Sequence, residues 1–244
     1  MCRMVGIVFR REFPMETLFD LRDVARTGVV PGERTPGHGD GWGIVSFRHD
    51  APLYVGRSTR PIFNDESFES ARQDVLKVEA PNILIAHARA LSSGAATIQN
   101  THPFVMDGIA LCHNGTVSNV KFKPRHPVKG ETDSEKLLAR LVDRVEDSGD
   151  LGSSIKALVS EDIHSHEYSA AIMFISDGKK LFAYRDFSPG KSAEYYNLKM
   201  AANPESVIFF QETGIGYGID VSQIENGELV TVDLNLKVQR EILR

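Results

Sequence analysis

The chain has 244 residues, 41% hydrophobic and 25% charged, with a formal net charge of −5. That length suits one large domain or two small ones with a sizeable core, and the composition excludes a fibre or a disordered chain. The acidic balance argues against nucleic acid, whose binders carry a basic stripe, and no apolar run approaches the ~20 residues of a membrane span.

Val5–Phe9 is apolar on both faces and reads as a short buried strand. It is bracketed by Arg3, Arg10, Arg11 and Glu12 and is too short for a signal-peptide core. With only two cysteines, Cys2 and Cys112, no disulfide framework is indicated, so a cytoplasmic chain with reduced thiols is expected. Without a C-x-x-C pair no metal is expected, and no cofactor. Met15–Arg26 has helical spacing behind Pro14. The loop Thr27–Gly41 holds five glycines and two prolines and runs into Asp40-Gly41-Trp42-Gly43, where the backbone must turn tightly or approach something closely. Trp42–Arg48 and Leu53–Gly56 read as a hairpin turning at His49–Pro52.

Asp65–Lys77 reads as a helix, Asn82–Arg89 as a strand with His87 and Arg89 at its end, and Ser92–Thr101 as a loop. Ile109–Cys112 is the next strand, ending in His113-Asn114-Gly115. Thr132-Asp133-Ser134-Glu135 has the capping-box pattern and opens a helix with Leu137, Leu138, Leu141, Val142 and Val145 on one face. A second helix spans roughly Leu151–Val159. Tyr168–Ser176 and Leu181–Arg185 form a hairpin through Asp177-Gly178, followed by strands at Ser206–Phe210, Leu229–Asp233 and near Lys237–Ile242. Strands, a central helix pair, then strands again make an α+β fold rather than alternating βαβ units. With no repeat or linker, a single domain over residues 1–244 is expected.

Cys2 carries the chemistry of interest. Removal of Met1 would leave a thiol and a free α-amine on one residue, a nucleophile with its own base. The amine's unperturbed pKa of about 7.7–8.0 suits that task. Arg89 offers a guanidinium that can clamp a carboxylate. His102 sits beside Pro103. Asn114 and Gly115 pair a side-chain amide donor with an open backbone N–H, as an oxyanion hole requires. Asp133 lies in the first turn of its helix, a placement the helix dipole alone would favour.

Together these residues resemble the class II, N-terminal-nucleophile glutamine amidotransferases. The match comprises Met1-Cys2 before a glycine-containing strand, an arginine at a strand end, Asn100-x-His102-Pro103, His113-Asn114-Gly115 and Thr132-Asp133-x-Glu135. His102 follows Arg89 by 13 residues and Asn114 follows His102 by 12, the family's separations. Asp40–Gly43 points to its small stand-alone members. The resemblance runs from Cys2 to about Glu135. It implies a four-layer αββα sandwich and attack by the Cys2 thiol on the γ-carboxamide of glutamine. Asn114 and Gly115 would hold the oxyanion, Arg89 the α-carboxylate and Asp133 the α-ammonium, with His102 shaping the pocket. It also implies a glutamine or other γ-glutamyl substrate, a separate synthase subunit receiving ammonia, and a homo-oligomer among the arrangements open to it. After the arginine, larger members carry an aromatic; here Ala90 stands instead, which opens the alternative of a γ-glutamyl amide or peptide hydrolase. Retention of Met1 would leave a silent regulatory subunit. An acylase of the bile-salt or penicillin type shares the Met-Cys start without the other motifs.

Overall fold

The computed structural model describes residues 2–29, 37–92, 94–212 and 221–243. Thirteen strands and four α-helices are described. The first half contributes β1 (Arg3–Phe9), α1 (Glu16–Thr27), β2 (Trp42–Arg48), β3 (Ala51–Ser58), α2 (Glu66–Val75), β4 (Asn82–Ala88), β5 (Phe104–Met106) and β6 (Ile109–Val117). The second contributes α3 (Asp133–Ser148), α4 (Leu151–Ala157), β7 (Tyr168–Ser176), β8 (Lys180–Arg185), β9 (Lys199–Ala202), β10 (Ser206–Phe210), β11 (Val221–Gln223), β12 (Glu228–Asp233) and β13 (Val238–Ile242).

These strands form two antiparallel sheets, ordered β11-β9-β10-β1-β4-β2-β3 and β13-β12-β8-β7-β6-β5. The central strands are buried on both faces, and their side chains separate by the period of two that strands impose. Met4 and Val8 of β1 meet Cys112 and Phe174 in a core between the sheets. Val5, Ile7 and Phe9 point the other way, into a core with Leu18 and Leu21 of α1 and Phe68 of α2. The outer face of the second sheet packs Leu111 and Met173 against Leu137, Leu141 and Ile155 of α3 and α4. Helices, sheet, sheet, helices make the four-layer αββα sandwich that the resemblance implies. Gly6 lets the sheets approach, since a Cβ there would sit 3.1 Å from the Phe174 ring.

Several local expectations are refined. The hairpin between β2 and β3 turns on His49 and Asp50 alone, both at positive φ (50° and 63°). Pro52 belongs to the edge strand β3, where a missing N–H costs no ladder bond. Thr132 caps α3 by accepting from Glu135 N at 3.3 Å. Glu135, however, accepts from Lys129 N and Gly130 N (2.9 and 2.6 Å) instead of closing the capping box. β6 does not stop at Cys112. It runs through His113-Asn114-Gly115 and loses register with β7 between Gly115 and Val117. Gly115 takes φ 148°, and a Cβ there would lie 1.8 Å from Ala170 O. That approach holds the end of β6 against β7. Gly115→Ala is therefore expected to cost about 2–4 kcal/mol through backbone strain and overpacking, read as a fall in the urea midpoint with an unchanged m-value.

Candidate active site

Antiparallel pairing of β1 with β4 sets Arg3 opposite Ala88, so Cys2 and Arg89 leave the sheet at the same edge. Cys2 continues the Met4–Val8 face of β1 toward the gap between the sheets, as Asn114 continues the Cys112 face of β6. They meet there: Cys2 N donates to Asn114 Oδ1 at 3.0 Å. Cys2 Sγ lies 3.7 Å from Ala90 O. Cys2, Arg89, His102, Gly115 and Asp133 line one narrow cleft, together with Ala90, Ser92, His113, Thr132 and Ser134. Five of the six residues singled out from sequence thus share a cavity wall, and the sixth, Asn114, is bonded to Cys2.

Each is held by its own supports. Asp40 N donates to Arg89 O (2.9 Å) and Arg89 N to Gly41 O (2.8 Å), while Asp40 Oδ2 accepts from Leu91 N at 2.7 Å. The glycine-rich segment is thus a backbone brace for Arg89. Gly41 sits at φ 118°, and Gly43 leaves no room for a side chain because a Cβ would meet His102 O at 2.4 Å. Arg89 Nη1 and Asn100 Nδ2 both donate to Ala95 O (3.0 Å each), and Asn100 Oδ1 accepts from Glu131 N at 2.8 Å. The asparagine of Asn100-x-His102-Pro103 therefore ties the Arg89 loop to the approach of α3. At the start of that helix, Asp133 Oδ2 accepts from Val117 N (2.7 Å), leaving Oδ1 with only a 3.5 Å contact from Ser134 Oγ. His113 Nε2 donates to Ala170 O (3.1 Å), so Nδ1 accepts from Ser134 Oγ (3.0 Å).

The electrostatics are dominated by burial. Burial pushes the Cys2 thiol up, while Arg89 and Arg3 pull it down. Burial holds His87 and His102 well below the ordinary imidazole range, so both rings are neutral. They stack at 4.3 Å between centroids, and neither nitrogen of His102 meets a hydrogen-bond partner among the described residues. Cys112 is wholly buried and its thiol lies well above the ordinary value for the same reason.

Arg3 was read from sequence only as a flanking charge. It is wholly buried. Its Nη1 donates to Cys2 O at 2.9 Å, its other amino group pairs with Glu212, and its guanidinium lies 4.4 Å from the Tyr195 ring centre. The signal available was a charged residue heading an otherwise apolar strand next to Cys2. Apart from the cleft, Asp107, His126 and Glu146 hold their donor atoms within 4.8 Å of one another. His126 is held there among carboxylates, with Nδ1 on Asp143 and Nε2 on Asp107 (2.8 and 2.9 Å), and the Asp143 hydrogen bond raises its pKa above the ordinary imidazole value.

Residues 1–201 match the model of the class-II glutamine amidotransferases, and the chain belongs to that family. It is 30% identical over 210 residues to an uncharacterized protein of Methanocaldococcus jannaschii, covering 82% of this chain and 55% of that one. The chain therefore spans about half the length of that relative. It is 28% identical over 200 residues to the Escherichia coli "Putative glutamine amidotransferase YafJ", covering 75% of this chain and 72% of YafJ. A glutamine aminotransferase class-II domain protein from Silicibacter pomeroyi shares the fold over 98% of both chains, with a TM-score of 0.60 and 15% identity. No helix among the described residues is long and apolar enough to cross a membrane.

A guanidinium this close favours the thiolate, so its loss acts in one direction. Arg3→Met is expected to raise the pH midpoint for alkylation of Cys2 by iodoacetamide, followed by mass spectrometry of the N-terminal peptide. A midpoint unchanged or lowered would contradict the electrostatic account.

Proposed function

We propose that this chain releases ammonia from the γ-carboxamide of glutamine, using Cys2 as the nucleophile after removal of Met1. Met1 lies outside the described residues. The observation that carries the reading is the contact of Cys2 N with Asn114 Oδ1 in the cleft that also holds Arg89 and Asp133.

The α-amine takes the Sγ proton as sulfur bonds to the carbonyl carbon of the side-chain carboxamide. The carbonyl oxygen gains the negative charge, which Asn114 Nδ2 and Gly115 N–H stabilise; one such donor is worth about 10²–10³ in kcat. The ammonium formed returns its proton to nitrogen as the C–N bond breaks and ammonia leaves. Water then attacks the thioester, the S–C bond breaks, and glutamate departs with the thiol restored. Arg89 pairs with the α-carboxylate and Asp133 Oδ1 with the α-ammonium, so opposite charges read the two ends of the amino acid. His102, neutral by burial, shapes the pocket wall.

One observation favours a second reading. Ala90 lines the cleft at the position where larger relatives carry an aromatic, and Leu91 beside it is 41% exposed. A small residue there admits a bulkier leaving group, which supports γ-glutamyl amides or peptides as substrates on the same machinery.

Glutamine, γ-glutamyl dipeptides and glutathione, assayed side by side for glutamate release, decide between the two. Intact mass should show Met1 absent from active protein. Cys2→Ala should abolish release with the thermal melt unchanged, and Arg89→Gln should act mainly on KM. Unchanged turnover in Cys2→Ala would sink both readings.

A further inference from the structure

Asn114 can serve as an oxyanion donor in only one of its two amide orientations. Oxygen and nitrogen occupy nearly the same volume, so packing does not choose between them. The contact with Cys2 N does not suffice either. Once that atom is a free amine it both donates and accepts, and it could satisfy either end of the carboxamide.

The choice is made by the residue bonded to the other end of the carboxamide. Asn114 Nδ2 donates to Gln211 Oε1 at 3.1 Å. Gln211 is itself an amide that could flip, but its Nε2 donates to Asn197 O at 3.1 Å, and a main-chain carbonyl can only accept. Asn197 is fixed in turn, because its Oδ1 accepts from Glu212 N at 2.9 Å. The relay therefore ends in backbone groups whose polarity cannot be reversed. Read back toward the site, it forces Gln211 Oε1 toward Asn114, Asn114 Nδ2 toward Gln211, and Asn114 Oδ1 toward Cys2. Nδ2 carries two hydrogens. One is held by Gln211, and the second is left for the cleft. Gln211 is 4% exposed and Asn114 wholly buried, so water does not substitute for a lost partner at low cost.

We propose that Gln211 is a positioning residue that sets the polarity of the Asn114 carboxamide and so keeps its second N–H aimed at the oxyanion. This deepens the function proposed above and rests on the role given there to Asn114. Gln211 touches neither substrate nor sulfur; it acts through Asn114.

Gln211→Met keeps the length of the side chain and removes both ends of the relay. Hydrolysis of the preferred γ-glutamyl substrate is expected to lose ten- to hundredfold in kcat, with KM within about twofold, because a donor used in the transition state is misdirected part of the time. A second measurement needs no substrate. In protein labelled with ¹⁵N-asparagine, the Asn114 carboxamide is identified by its disappearance in Asn114→Ala. Its hydrogen-bonded proton is expected to exchange with solvent at least tenfold faster in Gln211→Met than in the parent. Cys112 serves as the folding control and should stay closed to iodoacetamide in both proteins. Unchanged exchange overturns the proposal. So does a variant in which KM rises with the fall in kcat and Cys112 becomes reactive, which would mark Gln211 as merely structural. If the parent turns over no γ-glutamyl compound, the proposed function fails, and the exchange measurement still decides the role of Gln211.

Discussion

The hydrogen bond from Cys2 N to Asn114 Oδ1 is the contact on which the site depends, because, with the Asn114–Gln211 bond beside it, it ties the two sheets together at the cleft. Cys2 precedes β1, the middle strand of one sheet, and Asn114 lies on β6, next to the edge strand β5 of the other. Neither residue could be placed without the inter-sheet core of Met4, Val8, Cys112 and Phe174 behind it. A core of that kind is packed at near-crystalline density and resists small displacements. The precision of a 3.0 Å polar contact at its rim is inherited from that stiffness. Gly6 and Gly115 belong to the same constraint. Each permits an approach that a Cβ would block, one between the sheets and one beside Ala170.

Two relays leave the end of β10 and converge on Cys2. Gln211 reaches its nitrogen through Asn114, and Glu212 reaches its carbonyl oxygen through Arg3. These bonds hold both backbone atoms of Cys2 from two adjacent residues just past β10 and leave the thiol unoccupied. Burying Arg3 is costly unless it is paired and hydrogen-bonded. Here Glu212, Cys2 O and the Tyr195 ring face provide for it.

Much of this was legible in the sequence, for identifiable reasons. The long central strands stand out as apolar runs because both faces are buried, and α3 stands out by its spacing and its threonine cap. Asn114-Gly115 marks a limit: the apolar run stops at Cys112 and the expected strand with it, whereas β6 carries both residues and loses register only afterwards. β5, β9 and β11 have three or four residues each, too few to show a period. Arg3 was visible, but its burial was not, since nothing local announces that Glu212 and Tyr195 will fold over it. The Gln211 relay joins residues 97 positions apart, and glutamine has no local signature that distinguishes a relay from a solvated side chain. Backbone polarity emerges only when the sheets are assembled.

The charge pattern around the thiol bears on which base serves it. His102 lines the cleft, and a histidine beside a cysteine would ordinarily be the first candidate. Burial holds His102, and His87 stacked upon it, well below the ordinary imidazole range. A general base is most effective when its pKa lies near working pH, and an imidazole that resists protonation to this degree is poorly matched to take the Sγ proton. His113 has both nitrogens committed, to Ser134 and to Ala170 O. Among the described residues, the cations nearest the thiol are Arg3 and Arg89, and guanidinium does not act as a base at these pH values. With Met1 removed as proposed, the amine of Cys2 is the group that remains, beside Asn114 Oδ1. Burial of the surrounding imidazoles thus supports the role proposed for that amine, by a route independent of any motif.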